Sequence, residues 1–313
     1  MKHSFVCAGF AKCATTTLDA ILRQHPDIAL PCHKETYFLE SDTLCDKGLQ
    51  WYENRYYGKN SKRYENKILG EVNPRDSGCK NLEKRICEIF GSDIKFIYMI
   101  RNPVDAAFSF FKNFLFYGIA EPELEKNIWS EGLFDNYVRK YLCNRKKESH
   151  GPQMMFAQYL YGRHFATALK YISREQMYIC VFEDFVRDPE TETKKILRFI
   201  GADDTVDINY NVKENSGDRM PRSVRAIRIS QKKYRFWEQT YVPCFPYLGE
   251  FIERKMDRWF WSIADKASVP ATDIVCMSDE TREILRTYYL PDIQLLDQVL
   301  GTNFVEQWNM EKK

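Results

Sequence analysis

Apolar, β-branched and aromatic residues run almost unbroken in three short stretches of the chain: Phe5 to Ala8, Lys95 to Ile100 (KFIYMI) and Met177 to Phe182 (MYICVF). Runs of this length predict strands buried on both faces, as in a parallel sheet. A helical pattern follows each of them. After the first, Leu18, Ile21 and Leu22 share one face and the pattern stops before Pro26. After the second, Asn102-Pro103 opens a segment in which Phe108, Phe111 and Leu115 recur at helical spacing. After the third, Asp188-Pro189 supplies a cap and a first helical residue, Ile196, Leu197 and Ile200 form the apolar face, and Gly201 ends it. Strand followed by helix, repeated, predicts an α/β fold: a central parallel sheet flanked by helices on both faces, with ligands beyond the carboxyl ends of the strands.

The chain has 313 residues, 44% of them hydrophobic, enough to bury a substantial core in one domain spanning 1–313. Lys and Arg total 46 against 44 Asp and Glu, so a net charge of +2 gives no overall pull toward nucleic acid or a membrane surface. An anionic ligand has to be held locally. No stretch reaches the apolar length of a membrane span, and the opening MKHSFVCAGF leads directly into the first strand without room for a signal peptide. The ten cysteines show no CxxC pair and no metal-ligand spacing, and Cys7 and Cys180 sit in apolar runs. A reduced, cytoplasmic protein without a metal is the expectation; residence in the Golgi lumen calls for an anchor. Basic residues cluster at Arg139, Lys140, Arg145, Lys146 and Lys147 and again across 211–235.

The first predicted strand turns into its helix through GFAKCATTTLDAILRQHP, residues 9–26. Such a turn exposes backbone N–H groups at the positive end of a helix dipole, which suits a phosphate or sulfate. Lys12 adds a cation, and Thr15, Thr16 and Thr17 add hydroxyl donors. It is not a Walker A loop, because Lys12 follows Gly9 by three residues and no second glycine precedes it. A threonine-rich cap on an ordinary helix is the alternative. Arg101 leaves the second strand, and Ser109 stands two turns into the next helix, where both can reach one phosphate; the alternatives are an ordinary surface ion pair for Arg101 and a hydroxyl bonded to its own helix backbone for Ser109. Two anion sites imply a ligand with two separated anionic groups.

GFAKCATTTLDAILRQHPDIALPCHKETYF resembles the 5′-phosphosulfate loop of sulfotransferases that use 3′-phosphoadenosine 5′-phosphosulfate (PAPS). The matching residues are Lys12, Cys13, Ala14, Thr15, Thr16, His25-Pro26 and Lys34-Glu35. FIYMIRNPVDAAFSFF resembles the family's 3′-phosphate element, with Arg101 and Ser109 in the matching places. VFEDFVRDPETETKKILRFIG and TREILRTYYLPDIQLLDQVLG extend the likeness over nearly the whole chain, in order. The resemblance implies a P-loop NTPase-like sulfotransferase fold, nearest in pattern to carbohydrate and glycosaminoglycan-type enzymes, and PAPS as donor with 3′,5′-adenosine bisphosphate (PAP) as product. Two positions depart from the pattern. Ala14 stands for the usual glycine, and Cys13 for a common serine. NVKENSGDRMPRSVR, residues 211–225, is similar to the loop that closes over the nucleotide, with Arg219 or Arg222 able to reach the 3′-phosphate.

Sulfuryl transfer needs an in-line acceptor, stabilisation of the leaving phosphate and a base for the acceptor's proton. Lys12 is placed to neutralise the leaving phosphate. For the base, Glu71, His33 and His164 are the candidates. ILGEVNPRDS is similar to the Glu-Lys-Ser/Thr-Pro element of glycosaminoglycan-type enzymes, whose glutamate is the base, although Val72 stands where lysine is usual. No histidine lies between Lys34 and Arg101. Glu71 is therefore the expected base, with an exposed carboxylate near a turn as the alternative. Lys34 either lines the active site or is a solvated loop cation, and His25 is read as a helix-end residue. Tyr37, Phe38, Trp51, Tyr56 and Tyr57 either stack on sugar rings or pack in the core. The expected acceptor is a carbohydrate hydroxyl or amine, with a small metabolite as alternative. A P-loop kinase and a non-catalytic nucleotide-binding protein are the rivals of other classes.

Overall fold

The computed structural model describes residues 1–32, 34–58, 61–74, 81–116, 132–143, 155–212, 219–221, 268–270 and 275–311. They fall into two compact units: Met1–Ala106 with Gln158–Asn215 and Tyr289–Lys313, and Ala107–Ala157 with Ser216–Tyr288.

The first unit is built on a five-stranded sheet. In chain order its strands are β1 (His3–Gly9), β2 (Ile28–Ala29), β3 (Ile68–Val72), β4 (Lys95–Ile100) and β5 (Met177–Val181). Their order across the sheet is β2-β3-β1-β4-β5, every pairing parallel. From β1 the chain moves outward to β2, returns through β3 and then crosses to β4 on the other side. Right-handed crossovers in opposite directions place their helices on opposite faces. β1 is thus the strand at which the winding reverses, where doubly wound sheets open a crevice.

All three strands read from the sequence are present, with Phe182 passing instead to the helix that follows β5. The strand cores are sealed: Phe5, Cys7, Ala8 and the run Phe96 to Ile100 are all buried. Each large apolar side chain so enclosed contributes roughly 1.5–3 kcal/mol. Helix α1 (Thr15–Leu22) follows β1 and buries Leu18, Ile21 and Leu22. Between β2 and β3 lie α2 (Asp42–Cys45) and α3 (Gly48–Tyr56), and α4 (Leu82–Phe90) precedes β4. Helix α5 (Pro103–Phe116) leaves β4 and continues into the second unit.

The second unit holds α6 (Leu133–Val138), which runs into a π-helical turn at Arg139–Cys143. Phe111 packs against Phe134 and Tyr137, with ring centres 4.9 Å apart in both pairs. The first unit resumes with α7 (Tyr161–Ala168) ahead of β5, then α8 (Phe182–Arg187) and α9 (Pro189–Ile200). α9 starts as its sequence requires: Asp188 accepts a hydrogen bond from the Thr191 N–H at 3.0 Å, Pro189 occupies the first turn, and Gly201 closes the helix at φ 83°. β6 (Arg219–Pro221) and β7 (Ser268–Pro270) pair antiparallel in the second unit, so part of the segment read as a closing loop is a strand. Helices α10 (Asp279–Leu300) and α11 (Phe304–Gln307) complete the described chain.

One contact ties the C-terminal segment to the sheet unit. The buried Asp292 carboxylate accepts the N–H groups of Gly162 at 2.8 Å and Arg163 at 3.1 Å, capping α7 from another helix. That approach needs a residue without a side chain, because a Cβ on Gly162 would lie 2.2 Å from the Asp292 carbonyl oxygen. Backbone cannot yield as a side chain tip can. Gly162→Ala is expected to destabilise the protein by about 1–3 kcal/mol, seen as a lower midpoint in urea unfolding with an unchanged slope.

Candidate functional site

The turn after β1 is held from both sides. The Phe10 N–H donates to the Met99 carbonyl at 2.8 Å, which fixes the start of the turn to β4. The Ala11 carbonyl accepts the Tyr159 hydroxyl at 3.1 Å and the Cys13 thiol at 3.4 Å, and the Lys12 carbonyl accepts Arg101 Nη1 at 3.2 Å. Lys12 and Ala14 both take left-handed backbone, φ 64° and 65°. The conformation that glycine would adopt freely at position 14 is imposed on an alanine here, at roughly 1–2 kcal/mol.

Ala14 is also the N-cap of α1 and has no side chain to cap it. The first bond into the helix runs from the Leu18 N–H to the Ala14 carbonyl at 3.0 Å. The amides of Thr15, Thr16 and Thr17 therefore have no acceptor within the helix, at its positive end. Thr15 is buried, and Thr16 and Thr17 are partly exposed. The buried Cys13 thiol is pushed up to about 12 by loss of hydration, so it stays protonated and able to donate to the Ala11 carbonyl.

Arg101 leaves β4 beside this turn. Its guanidinium lies 4.1 Å from the centre of the Phe182 ring as well as on the Lys12 carbonyl, and its Nε is buried without a partner among the described residues. Its carbonyl accepts the Tyr161 hydroxyl at 3.0 Å, and the next amide, Asn102, donates to Glu183 at 3.0 Å. Of the acidic residues after β5, Glu183 thus holds the backbone that presents Arg101. Lys12 and Arg101 are brought together by direct contact.

Glu71 lies one residue before the end of β3, level with Val6 of β1. It is only 2% exposed, which excludes the alternative of an exposed carboxylate. Thr36 donates its hydroxyl to Oε1, and Tyr52 donates to Oε2 at 2.6 Å. Around them the Tyr56 hydroxyl donates to the Thr36 carbonyl at 2.7 Å, and the Tyr57 hydroxyl to the Gly70 carbonyl at 2.8 Å. Burial raises the Glu71 carboxyl above the ordinary carboxylate range, opposed by the hydrogen bonds from Thr36, Tyr52 and Asn73.

The remaining sequence candidates fall in several places. Lys34 forms an ion pair with Glu35 at 2.6 Å, two residues before Thr36. Ser109 lies on α5 and Arg219 in β6, both in the second unit, while Arg222 and His33 lie outside the described residues. His164 sits 3.1 Å from the buried Glu83, and His25 accepts the Asp27 N–H at 3.1 Å just past α1. Phe38, Tyr56 and Tyr57 are buried, and the Phe38 and Tyr52 rings stand 4.6 Å apart, so these aromatics pack with one another. The sequence reading did not single out Tyr52 or Thr36. Their only local signal is a set of tyrosines at helical spacing in QWYENRYY and a threonine next to Lys34-Glu35.

The turn at the switch strand, a lysine and an arginine joined across it and a buried carboxylate on the next strand thus lie at the end of the sheet where doubly wound folds place their ligands. Residues 2–235 match the sulfotransferase domain family, and the chain belongs to it. It is a sulfotransferase enzyme with the P-loop-like fold of that family. A sulfotransferase from Alicyclobacillus acidocaldarius aligns over 99% of both chains with a TM-score of 0.63 and 19% identity, a likeness of fold. The membrane-associated sulfotransferase kil1 of Dictyostelium discoideum is 28% identical over 106 residues, 34% of this chain. The match spans 22% of that relative's length. Among the described residues no helix is long and apolar enough to cross a membrane, and no group of three His, Cys, Asp or Glu side chains could hold a metal.

Glu71 gives a test of its environment. With its folded-state titration raised, the stability this carboxyl contributes is present below its unfolded-state range and lost as pH rises through its folded-state range. Glu71→Gln is therefore expected to melt higher than wild type at pH 8 and to match it near pH 4, read by thermal unfolding across that range.

Proposed function

We propose that the enzyme transfers the sulfuryl group of PAPS to a hydroxyl or amine of a carbohydrate acceptor by in-line displacement. The observation that carries this reading is the uncapped head of α1, with Lys12 and Ala14 in left-handed backbone and Arg101 on the Lys12 carbonyl. The amides from Cys13 to Thr17 and the threonine hydroxyls suit a 5′-phosphate. The Lys12 ammonium suits the bridging oxygen on which charge grows as the sulfur–oxygen bond breaks. At the other end of the nucleotide, the buried Nε of Arg101, without a partner among the described residues, fits a 3′-phosphate.

Glu71 takes the acceptor's proton as the acceptor oxygen or nitrogen bonds to sulfur. Lys34, close to Thr36 in sequence, lines the acceptor side. A carbohydrate is favoured by a carboxylate base in the place where glycosaminoglycan-type enzymes resemble this chain; a small metabolite is the second choice. The packing of the Phe38, Tyr56 and Tyr57 rings around Tyr52 gives no support to sugar stacking there, and Arg139 is engaged with Glu280 at 2.7 Å. The location that goes with this reading is the cytoplasm.

Calorimetric titration with PAP against ADP tests the two anion sites. PAP is expected to bind at least about ten-fold more tightly, and Arg101→Ala to abolish the preference. Equal affinities would overturn the assignment. In a screen of polysaccharide and small-molecule acceptors with labelled PAPS, Glu71→Gln is expected to lower turnover by about 10²–10⁴-fold while PAP affinity stays within about two-fold.

A further inference from the structure

Glu71 is held by more machinery than a structural carboxylate requires. Each of its oxygens accepts one hydroxyl, Oε1 from Thr36 and Oε2 from Tyr52. Thr36 stands between Glu35 and Tyr37, which are both left-handed, φ 65° and 59°. Side chains other than glycine hold that backbone only where their surroundings impose it, and such positions gather at functional sites. Two further contacts set the direction of the Thr36 hydroxyl. The Tyr56 hydroxyl holds its carbonyl at 2.7 Å, and the Phe38 N–H donates to its Oγ1 at 3.4 Å, which leaves the hydroxyl proton for Glu71. Tyr52 is fully buried on α3, its ring 4.6 Å from that of Phe38 and 5.5 Å from that of Phe90.

A buried charge is a poor way to gain stability, since a neutral group of the same shape would serve as well or better. Its retention at the end of a strand beside the nucleotide turn calls for a chemical reason.

We propose that Thr36 and Tyr52 are positioning residues for sulfuryl transfer: together they fix both oxygens of Glu71 and keep the carboxylate ready to receive the acceptor's proton. This rests on the reading of Glu71 as the base. A base must be ionised before it can act, and burial alone would favour the protonated form. Two hydroxyl donors favour the ionised form, so the pair offsets the burial and brings the carboxylate toward the pH at which the enzyme works.

The titratable groups facing Glu71 are Tyr52, Tyr56 and Tyr57 from α3 and the residue after it, and Asn73 adds a neutral contact from its own strand end. Burial raises all three phenols, Tyr56 to about 12, so none of them ionises in the range of interest. The cations that act on this cluster are Arg55, over the Tyr56 ring at 5.8 Å, and Arg23, just past α1, which is paired with Asp19 at 2.7 Å and acts on Tyr57. Val6, the β1 partner of Glu71, is apolar.

The test is a carbon-13 NMR titration of the intact protein labelled at its glutamate carboxyls, with the Glu71 signal identified by its loss in Glu71→Gln. Tyr52→Phe and Thr36→Val are each expected to move the Glu71 midpoint up by about one pH unit or more, and Thr36→Ser to leave it in place. Loss of packing alone would lower the melting temperature without this pattern. Midpoints in Tyr52→Phe and Thr36→Val equal to wild type would overturn the positioning role. Should Tyr52→Phe not fold, the Thr36→Val and Thr36→Ser pair decides. Full turnover by Glu71→Gln in the acceptor screen would instead overturn the base reading beneath the proposal, whatever the titration gives.

Discussion

A helix whose first amides have no internal partner must find one in a side chain, in water or in a ligand. At the head of α1 the side-chain option has been given up: the N-cap is an alanine, held in left-handed backbone, where Ser, Thr, Asp or Asn would ordinarily stand. The groups that could have folded over those amides are used elsewhere. Tyr159 and Arg101 draw the carbonyls of Ala11 and Lys12 toward themselves. The strained turn and the uncapped helix are thus one feature, and the sheet around it is arranged to keep it. β1 is the strand at which the winding reverses, so the turn opens between the ends of β3 and β4, from which Glu71 and Arg101 come.

The second constraint is the buried carboxylate. Glu71 lies beside the apolar run Phe5 to Ala8 of β1, and it survives there because hydroxyls rather than cations satisfy it. An ion pair at that place would hold it firmly ionised; bare burial would hold it protonated. Hydroxyl donors oppose the effect of burial without cancelling it, a balance that suits the role proposed for Glu71 as base. The tyrosines of α3 serve as the scaffold of one carboxylate, and their rings fill the space that keeps water from it.

Much of this was legible in the sequence, and the reason is local. The run KFIYMI coincides with β4, and Asp188, Pro189 and Gly201 bound α9 at the residues where capping chemistry puts them. The left-handed backbone at Lys12 and Ala14 was not legible, because neither residue type favours it and only the surrounding contacts impose it. What could not be read depends on contacts remote in sequence. β2 is two residues long, too short for any pattern. The partners of Glu71 lie 35 and 19 residues before it, and only the fold brings them to its two oxygens. The aromatics near Lys34 had two readings with the same sequence signature; for Phe38, burial against the Tyr52 ring separates them. In the same way the part played by Glu183, which holds the Asn102 amide, emerges only when β4 and β5 lie side by side.

In the proposed complex the head of α1 and Arg101 grip the two ends of one nucleotide. A crystal structure of the protein with bound PAP tests it most directly. The 5′-phosphate is expected within hydrogen-bond distance of the Thr15 to Thr17 amides and the Lys12 ammonium, and the 3′-phosphate on the Arg101 guanidinium. A nucleotide with its 5′-phosphate away from that turn, or with Arg101 still confined to the Lys12 carbonyl and the Phe182 ring, would contradict it.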